Sequence, residues 1–308
     1  MKVTVVGTGN VGSALAYAIV LEGLADELVL LNRTAQVAEG HALDLQHAAS
    51  LVKHTVDVRG GSFEQSRDSD VVVMTLSIPL DIEKPDRREM AEGNAKILAD
   101  WMPKLAAASP NAIYLMVTNP VDAMTWAALH LTDLSSDKVC GIGTIVDSAR
   151  FRTMMSKQLG IHADDIRAYI LGEHGQSQVA AINMASIGGE LIDESLEKAH
   201  QLAQNTVKSG FEILRLKGCT NFAVAKATAM VIEAIRYNLH SAVPLSVMLD
   251  GYCGIDDVCL SIPVVMGRSG VTRRMHPRLA DSEFEAFRRS AEEVRKVCDQ
   301  IRPFLEPS

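Results

Sequence analysis

The run Val6-Gly7-Thr8-Gly9-Asn10-Val11-Gly12 sets three glycines in the spacing G-x-G-x-x-G, where an apolar stretch ends and an alanine-rich helical pattern begins. Gly7 permits a tight turn, Gly9 lets the backbone approach a bound group, and Gly12 lets strand and helix pack closely. Asn10 and Val11 lie in the first helical turn, whose free N–H groups at the positive end of the helix suit a diphosphate. An ordinary glycine turn is the alternative. The position between an N-terminal apolar strand and a helix favours a dinucleotide.

About twenty residues further on, binders of NAD place an acidic residue for the ribose 2′-hydroxyl. This chain has Leu31-Asn32-Arg33-Thr34 instead. Asn32 can accept a hydrogen bond without repelling a 2′-phosphate, and Arg33 can pair with one. NAD or NADP is therefore expected, with a solvent-facing Arg33 as the plainer alternative. Thr75, at the end of a later strand candidate, joins the expected cofactor-binding group.

Three further segments set polar groups beside apolar runs. Thr118-Asn119-Pro120-Val121-Asp122 follows a strand candidate, so Asn119 is expected at the sheet's carboxyl edge, where ligands bind in such folds. Gly143-Thr144-Ile145-Val146-Asp147-Ser148-Ala149-Arg150 opens a helix and puts Asp147 and Arg150 on one face. Leu171-Gly172-Glu173-His174-Gly175-Gln176-Ser177 places a histidine between glycines after a β run. Read alone, these are also compatible with a satisfied core histidine and a surface ion pair.

The elements that must position these groups alternate through the first half. Strand candidates at 2–6, 27–31, 70–76, 113–117 and 138–142 are nearly all apolar, as strands buried on both faces of a parallel sheet should be. Helical patterns at 11–22, stopped by Gly23, and at 90–107 lie between them. The class is α/β, a Rossmann-type doubly wound parallel sheet. Beyond residue 143 the pattern changes. Long helical stretches at 148–159, 195–214, 224–238 and 281–301 surround shorter β signals at 166–171 and 258–265. This predicts a dinucleotide-binding domain over 1–142 and a second, α+β substrate domain over 143–308, with no linker rich in Pro, Ser or Gly between them.

The chain's 308 residues are 47% hydrophobic and 22% charged, enough for two packed cores. A formal charge of −8 gives no electrostatic case for nucleic acid, and Arg87-Arg88 and Arg273-Arg274 are short clusters. Five cysteines without a C-x-x-C pair argue against a disulfide framework or zinc site and for a reducing compartment. No stretch approaches ~18 uninterrupted apolar residues, and no cleavable leader is apparent, so no membrane span and a cytoplasmic location are expected.

Together the segments GTGNVG, ALDLQHA (42–48), TNPVD, GIGTIVDSARFR, LGEHGQSQ, LKGCTNFA (216–223) and CLSIPVVMGRSGV (259–271) resemble the lactate/malate dehydrogenase family over nearly the whole chain. The resemblance implies hydride transfer between NAD(P) and a small 2-hydroxy or 2-oxo acid. It makes His174 the proton acceptor in oxidation and donor in reduction, a task that suits a side chain of unperturbed pKa ~6.5. It has Asp147 bond the other ring nitrogen, Arg150 hold the substrate carboxylate with its planar guanidinium, and Asn119 touch the substrate oxygen or nicotinamide ribose.

The segment 75–90 departs from the family, whose members carry glycines after the strand and K-P-G before a catalytic arginine. Counting back seven residues from Asn94 selects Arg87, with Arg88 the alternative if the register slips. That arginine is expected to polarise the substrate carbonyl once the loop closes. The position six residues earlier carries arginine in malate-type and glutamine in lactate-type members; here it falls on Asp81. A carboxylate there opposes a second substrate carboxylate, so a 2-oxo monocarboxylic acid, either pyruvate or a branched homologue, is expected over oxaloacetate. Thr220 agrees with the lactate-type K-G-Y-T segment, although Cys219 replaces its tyrosine.

Malate dehydrogenase activity and a non-catalytic NAD(P)-binding sensor are the competing readings. A sensor has no need of His174, Asp147, Arg150 and Arg87 together, and a hydrolase finds no G-x-S-x-G or H-E-x-x-H motif. The family implies a homodimer or homotetramer. Arg152 and Arg167 fall where sugar-bisphosphate-regulated relatives keep an anion site, with ordinary surface arginines as the favoured reading.

Overall fold

The computed structural model describes residues 1–79, 87–192 and 196–305, with side chains described except at 87, 88 and 196–200. In chain order the first half gives β1 (Lys2–Val6), α1 (Asn10–Glu22), β2 (Glu27–Leu31), α2 (Ala35–Ala49), β3 (Asp57–Gly61), β4 (Val71–Met74), α3 (Arg87–Ala108), β5 (Ile113–Met116), α4 (Val121–His130) and β6 (Val139–Gly141). The second half gives α5 (Ile145–Leu159), β7 (Ile166–Arg167), β8 (Ile170–Leu171), β9 (Val179–Ala180), β10 (Ser186–Ile187), β11 (Glu190–Leu191), α6 (Leu196–Lys217), α7 (Phe222–Arg236), β12 (Ser241–Asp250), β13 (Asp256–Gly267), β14 (Gly270–Arg274) and α8 (Asp281–Ile301).

Strands β1 to β6 pair in parallel in the order β3-β2-β1-β4-β5-β6. Val3, Val5, Val6, Leu28 to Leu31, Val71 to Met74 and Ile113 to Met116 are buried, which is why these runs show no alternation: helices cover both faces. The strand order reverses between β1 and β4, and the carboxyl ends of β1, β4 and β5 are stitched together there. Thr75 Oγ1 donates toward the carbonyls of Val6 at 3.0 Å and Gly7 at 2.9 Å, and Thr118 Oγ1 donates to Leu76 O at 2.6 Å. Such a switch point opens a crevice for a ligand. Helix α1 ends, as expected, at Gly23, whose φ of 63° is left-handed.

The sheet does not stop at β6. Ser246 of β12 bridges antiparallel to Gly141, and β12, β13 and β14 continue it as antiparallel strands to a total of nine. Pro244 in β12 hides this strand from a propensity reading, since proline inside a run argues against a central strand. In the structure it lies opposite Pro263 of β13.

The single β signal at 166–171 is two strands. β7 pairs with β10, whereas β8 pairs with β9, and beyond it Gly172 exchanges two backbone hydrogen bonds of 2.9 Å with Ser261 of β13. The break at Ala168-Tyr169 lets the chain leave the small sheet and reach the large one just before His174. No helix among the described residues is long and apolar enough to cross a membrane.

Candidate active site

The glycine loop is built by close contacts. At Gly12 an added Cβ would come within 1.8 Å of Gly7 O, so strand and helix meet with no room for a side chain. Gly7 has φ of 103°, a conformation that favours glycine. Gly9 differs, because a Cβ there meets nothing within 4 Å. Gly9 and Asn10 are exposed, and Gly9 caps α1 without a side-chain hydrogen bond. The space in front of the first N–H groups of α1 thus stays clear, which fits a diphosphate.

At the end of β2, Asn32 does not stand free. Its Nδ2 donates to Thr8 Oγ1 at 2.6 Å and its Oδ1 accepts from Thr34 N at 3.1 Å, while Arg33 is exposed. The residue that replaces the usual carboxylate therefore also braces the glycine loop.

Asn119 is exposed at the end of β5, and its carbonyl accepts from Asn94 Nδ2 at 2.6 Å. Asn94, on α3 and buried, also accepts from Ile78 N at 2.8 Å and donates to Ser77 Oγ at 3.2 Å. It ties the segments that follow β4 and β5 to one helix. In the sequence Asn94 fixes only the spacing to Arg87, and no local pattern marks its side-chain role.

The pair of His174 and Asp147 is assembled from α5 and the segment after β8. Thr144 donates its N–H to Ser261 Oγ at 3.1 Å and its hydroxyl to Ile170 O, and Ile170 N donates to Ser148 Oγ at 2.9 Å. These bonds fix α5 against β8 and β13. Asp147, in the first turn of α5, then meets His174, with Nδ1 to Oδ2 at 2.6 Å. Its other oxygen, Oδ1, accepts from Arg150 Nη1 at 3.1 Å. Gly210 on α6 lets that helix lie against Arg150, because a Cβ would stand 3.3 Å from Nη1.

Burial alone raises a carboxylate, yet the charges and hydrogen bonds of His174 and Arg150 hold Asp147 below its ordinary range. It is therefore the ionised acceptor, and Nδ1 carries the proton. His174 shows the reverse balance: burial disfavours the imidazolium, but Asp147, with help from Asp122, raises it above its ordinary value. Nδ1 is taken up by Asp147, and the side chain is 28% exposed.

A second carboxylate supports this arrangement. Asp122, at the start of α4, is 2% exposed; its Oδ2 accepts His174 N–H at 2.7 Å and its Oδ1 accepts Ser246 Oγ–H at 2.6 Å. Burial pushes it up to about 6 against the opposing pull of those two hydrogen bonds. The TNPVD motif contains it, but the sequence offered no reason to separate it from an ordinary acidic residue in a first helical turn. Ser290 of α8, equally silent in sequence, accepts Glu173 N–H at 2.7 Å.

Thr220 is half-buried on the turn between α6 and α7, where neighbouring Asn221 Nδ2 donates to Asn10 O at 3.3 Å, so this turn abuts the head of α1. Arg87 heads α3, with its side chain outside the description, and Asp81 lies outside the described residues altogether. Arg152 is half-buried and donates to Ala168 O at 3.4 Å; burial lowers its pKa and the nearby Arg167 adds to that. Among the described residues no group of three or more His, Cys, Asp or Glu is placed to hold a metal ion.

Residues 1–141 match the family described as lactate/malate dehydrogenase, NAD binding domain, and residues 144–305 match its alpha/beta C-terminal domain. The chain is 34% identical over 309 residues to an L-lactate dehydrogenase of Acetivibrio thermocellus, covering 97% of each. It is 38% identical over 311 residues to that of Treponema denticola, covering 97% of this chain and 98% of the other. Among solved structures, a lactate dehydrogenase from a Medee basin deep-sea metagenome library superposes with TM-score 0.93 at 31% identity, over 98% of both chains. A minor L-lactate dehydrogenase of Enterococcus mundtii gives 0.92 at 31% identity, again over 98% of both chains.

Proposed function

The chain belongs to the lactate/malate dehydrogenase family, and we propose that it interconverts a 2-oxo monocarboxylic acid and its 2-hydroxy acid, as an L-lactate dehydrogenase does. The observation that carries this reading is the shared Asp147, with His174 on one carboxylate oxygen at 2.6 Å and Arg150 on the other at 3.1 Å. A bound nicotinamide supplies the hydride at the substrate's C2. The protein's residues supply everything else. In reduction, His174 Nε2–H gives its proton to the developing alkoxide and becomes neutral, while Nδ1–H stays on Asp147. Arg150 commits one nitrogen to Asp147, and the rest of its guanidinium is left to oppose the substrate carboxylate.

The family model over residues 1–141 makes NAD the cofactor class. NADP as an additional cofactor is supported by the absence of a carboxylate at Asn32 and by the exposed Arg33. The monocarboxylic preference rests on Asp81 opposing a second carboxylate, and carbonyl polarisation on Arg87. The cofactor domain is proposed to end at 142 and the substrate domain to begin at 143, and a homodimer or homotetramer is expected; Arg152 and Arg167 are read as ordinary arginines ahead of a sugar-bisphosphate contact.

The test is absorbance loss from NADH or NADPH with pyruvate, 2-oxoisocaproate and oxaloacetate, run beside His174→Ala. The expected result is turnover of a monocarboxylic oxo acid that falls by about 10²–10⁴-fold in the variant. Oxaloacetate turned over as well as the others would overturn the monocarboxylic reading. Cofactor binding without turnover of any would favour the sensor. A kcat/KM with NADPH about a hundredfold below that with NADH, equivalent to ~2.7 kcal/mol, would remove NADP.

A further inference from the structure

We propose that Asp122 is a positioning residue for proton exchange at His174: from the cofactor-binding half of the molecule, its carboxylate fixes the histidine's backbone and adds a second negative charge to the field at the imidazole. The inference rests on the reading of His174 as the proton-exchange group. Asp122 begins α4, where an acidic side chain ordinarily caps its own helix. Both of its hydrogen bonds leave that helix instead, one to His174 N–H at 2.7 Å and one from Ser246 of β12 at 2.6 Å. It thereby joins three segments that are far apart in sequence, and it does so 2% exposed.

A buried carboxylate is an expensive way to accept two hydrogen bonds. An asparagine could take the same two partners: its Oδ1 accepts the His174 N–H, and its amide donates to the Ser246 hydroxyl, which can accept. What asparagine lacks is charge. The groups around the carboxylate show where that charge acts. Asp147 and Arg150 of α5 flank His174 and Glu173 adjoins it, while Cys259 of β13 and Cys298 of α8 are thiols that burial pushes well above their ordinary range. The thiols are therefore neutral near pH 7. His174 is the cation whose stability Asp122 serves, in addition to the stronger support from Asp147.

The sign follows. Oxo-acid reduction needs protonated His174, so any anion that raises its pKa extends reduction toward higher pH. Removing the charge with Asp122→Asn lowers the His174 pKa and moves the basic limb of kcat/KM for the oxo acid to lower pH.

The experiment titrates the His174 ring by NMR in isotopically labelled protein with NADH bound, using His174→Ala to assign the resonance. In Asp122→Asn the pKa is expected to fall by about 1 unit, with the basic limb of kcat/KM moving equally and NADH affinity unchanged. Ser246→Ala keeps both charged partners and removes only the hydroxyl that stabilises the Asp122 anion; a smaller fall is expected, and it serves if Asp122→Asn does not fold. An unshifted His174 titration in a folded variant, even with lower Tm or kcat, overturns the proposal and leaves Asp122 a purely structural brace. Failure of the wild-type protein to reduce any oxo acid would count against the catalytic reading instead, since the NMR titration needs no turnover.

Discussion

At the scale of single residues, the pair His174 and Asp147 decides how the site responds to pH. Their 2.6 Å contact is made by an imidazole raised above its ordinary value and a carboxylate held below its own. Imidazolium and carboxylate each stabilise the other, so Asp147→Asn removes the anion and leaves an amide that can turn either end toward Nδ1. Reduction by the variant is expected to fall by about 10²–10⁴-fold near neutral pH, and its remaining activity to decline at a lower pH than the wild type's. A pH series of kcat/KM checks both; equal basic limbs in the two proteins would mean Asp147 does not set the histidine's charge. Glycines or a strand end drew attention to His174, Asp147, Arg150 and Asn119, but the local pattern left a core histidine and a surface ion pair open, and their roles came from the family resemblance. Asp122, Asn94 and Ser290 drew none, because each acts across chain separations that no local pattern encodes.

The elements show the same division between local and distant causes. The G-x-G-x-x-G loop is local: an apolar strand, a turn and an alanine-rich helix predict it, and β1 and α1 appear there. The glycines nonetheless do different work, which the spacing alone did not reveal. Gly12→Ala drives a Cβ into Gly7 O, a backbone atom that cannot yield cheaply, so it is expected to destabilise the fold by about 1–3 kcal/mol as overpacking does. Gly9→Ala meets no protein atom within 4 Å. Its methyl enters the space in front of the α1 N-terminus, so the expected result is a Tm lowered only slightly by the poorer N-cap and NADH affinity lower by about tenfold or more, equivalent to ~1.4 kcal/mol. Calorimetry for Tm and fluorescence titration for affinity separate the two. If Gly9→Ala bound NADH as tightly as wild type, the diphosphate would not lie over this turn. The split of the expected 166–171 strand had the opposite origin: its residues suit one strand, and partners distant in sequence divide it, β10 for β7, β9 for β8 and Ser261 for Gly172.

At the scale of the whole molecule, sequence predicted two domains, and the structure runs one sheet through both. The join is narrow in backbone terms, a bridge from Gly141 to Ser246, and is packed without slack: a Cβ on Gly141 would meet Thr125 Oγ1 at 2.6 Å. Two residues on, Gly143 has φ of 50°, and a Cβ there would lie 2.3 Å from Ser261 Oγ and 2.8 Å from Ser246 N. Outside the sheet, Arg236 of α7 holds Asp26 with bonds of 2.8 and 3.1 Å, and Lys226 of α7 reaches Glu22 of α1 at 2.7 Å. Exposed pairs of this kind contribute about 0–1 kcal/mol each, so the buried seam must carry most of the coupling. The site depends on that coupling, because Asp122 comes from one side of the seam and His174 from the other. Heat is therefore expected to unfold the chain in a single transition, with circular dichroism and tryptophan fluorescence coinciding. Gly143→Ala, strained in backbone and space, is expected to cost about 1–3 kcal/mol, lowering Tm by several degrees while preserving one transition. Two separated transitions in the wild type, with NADH raising only the midpoint of one, would show that the halves fold independently. The proton-exchange group would then be held by its own half alone, and the bond from Asp122 would be incidental to it.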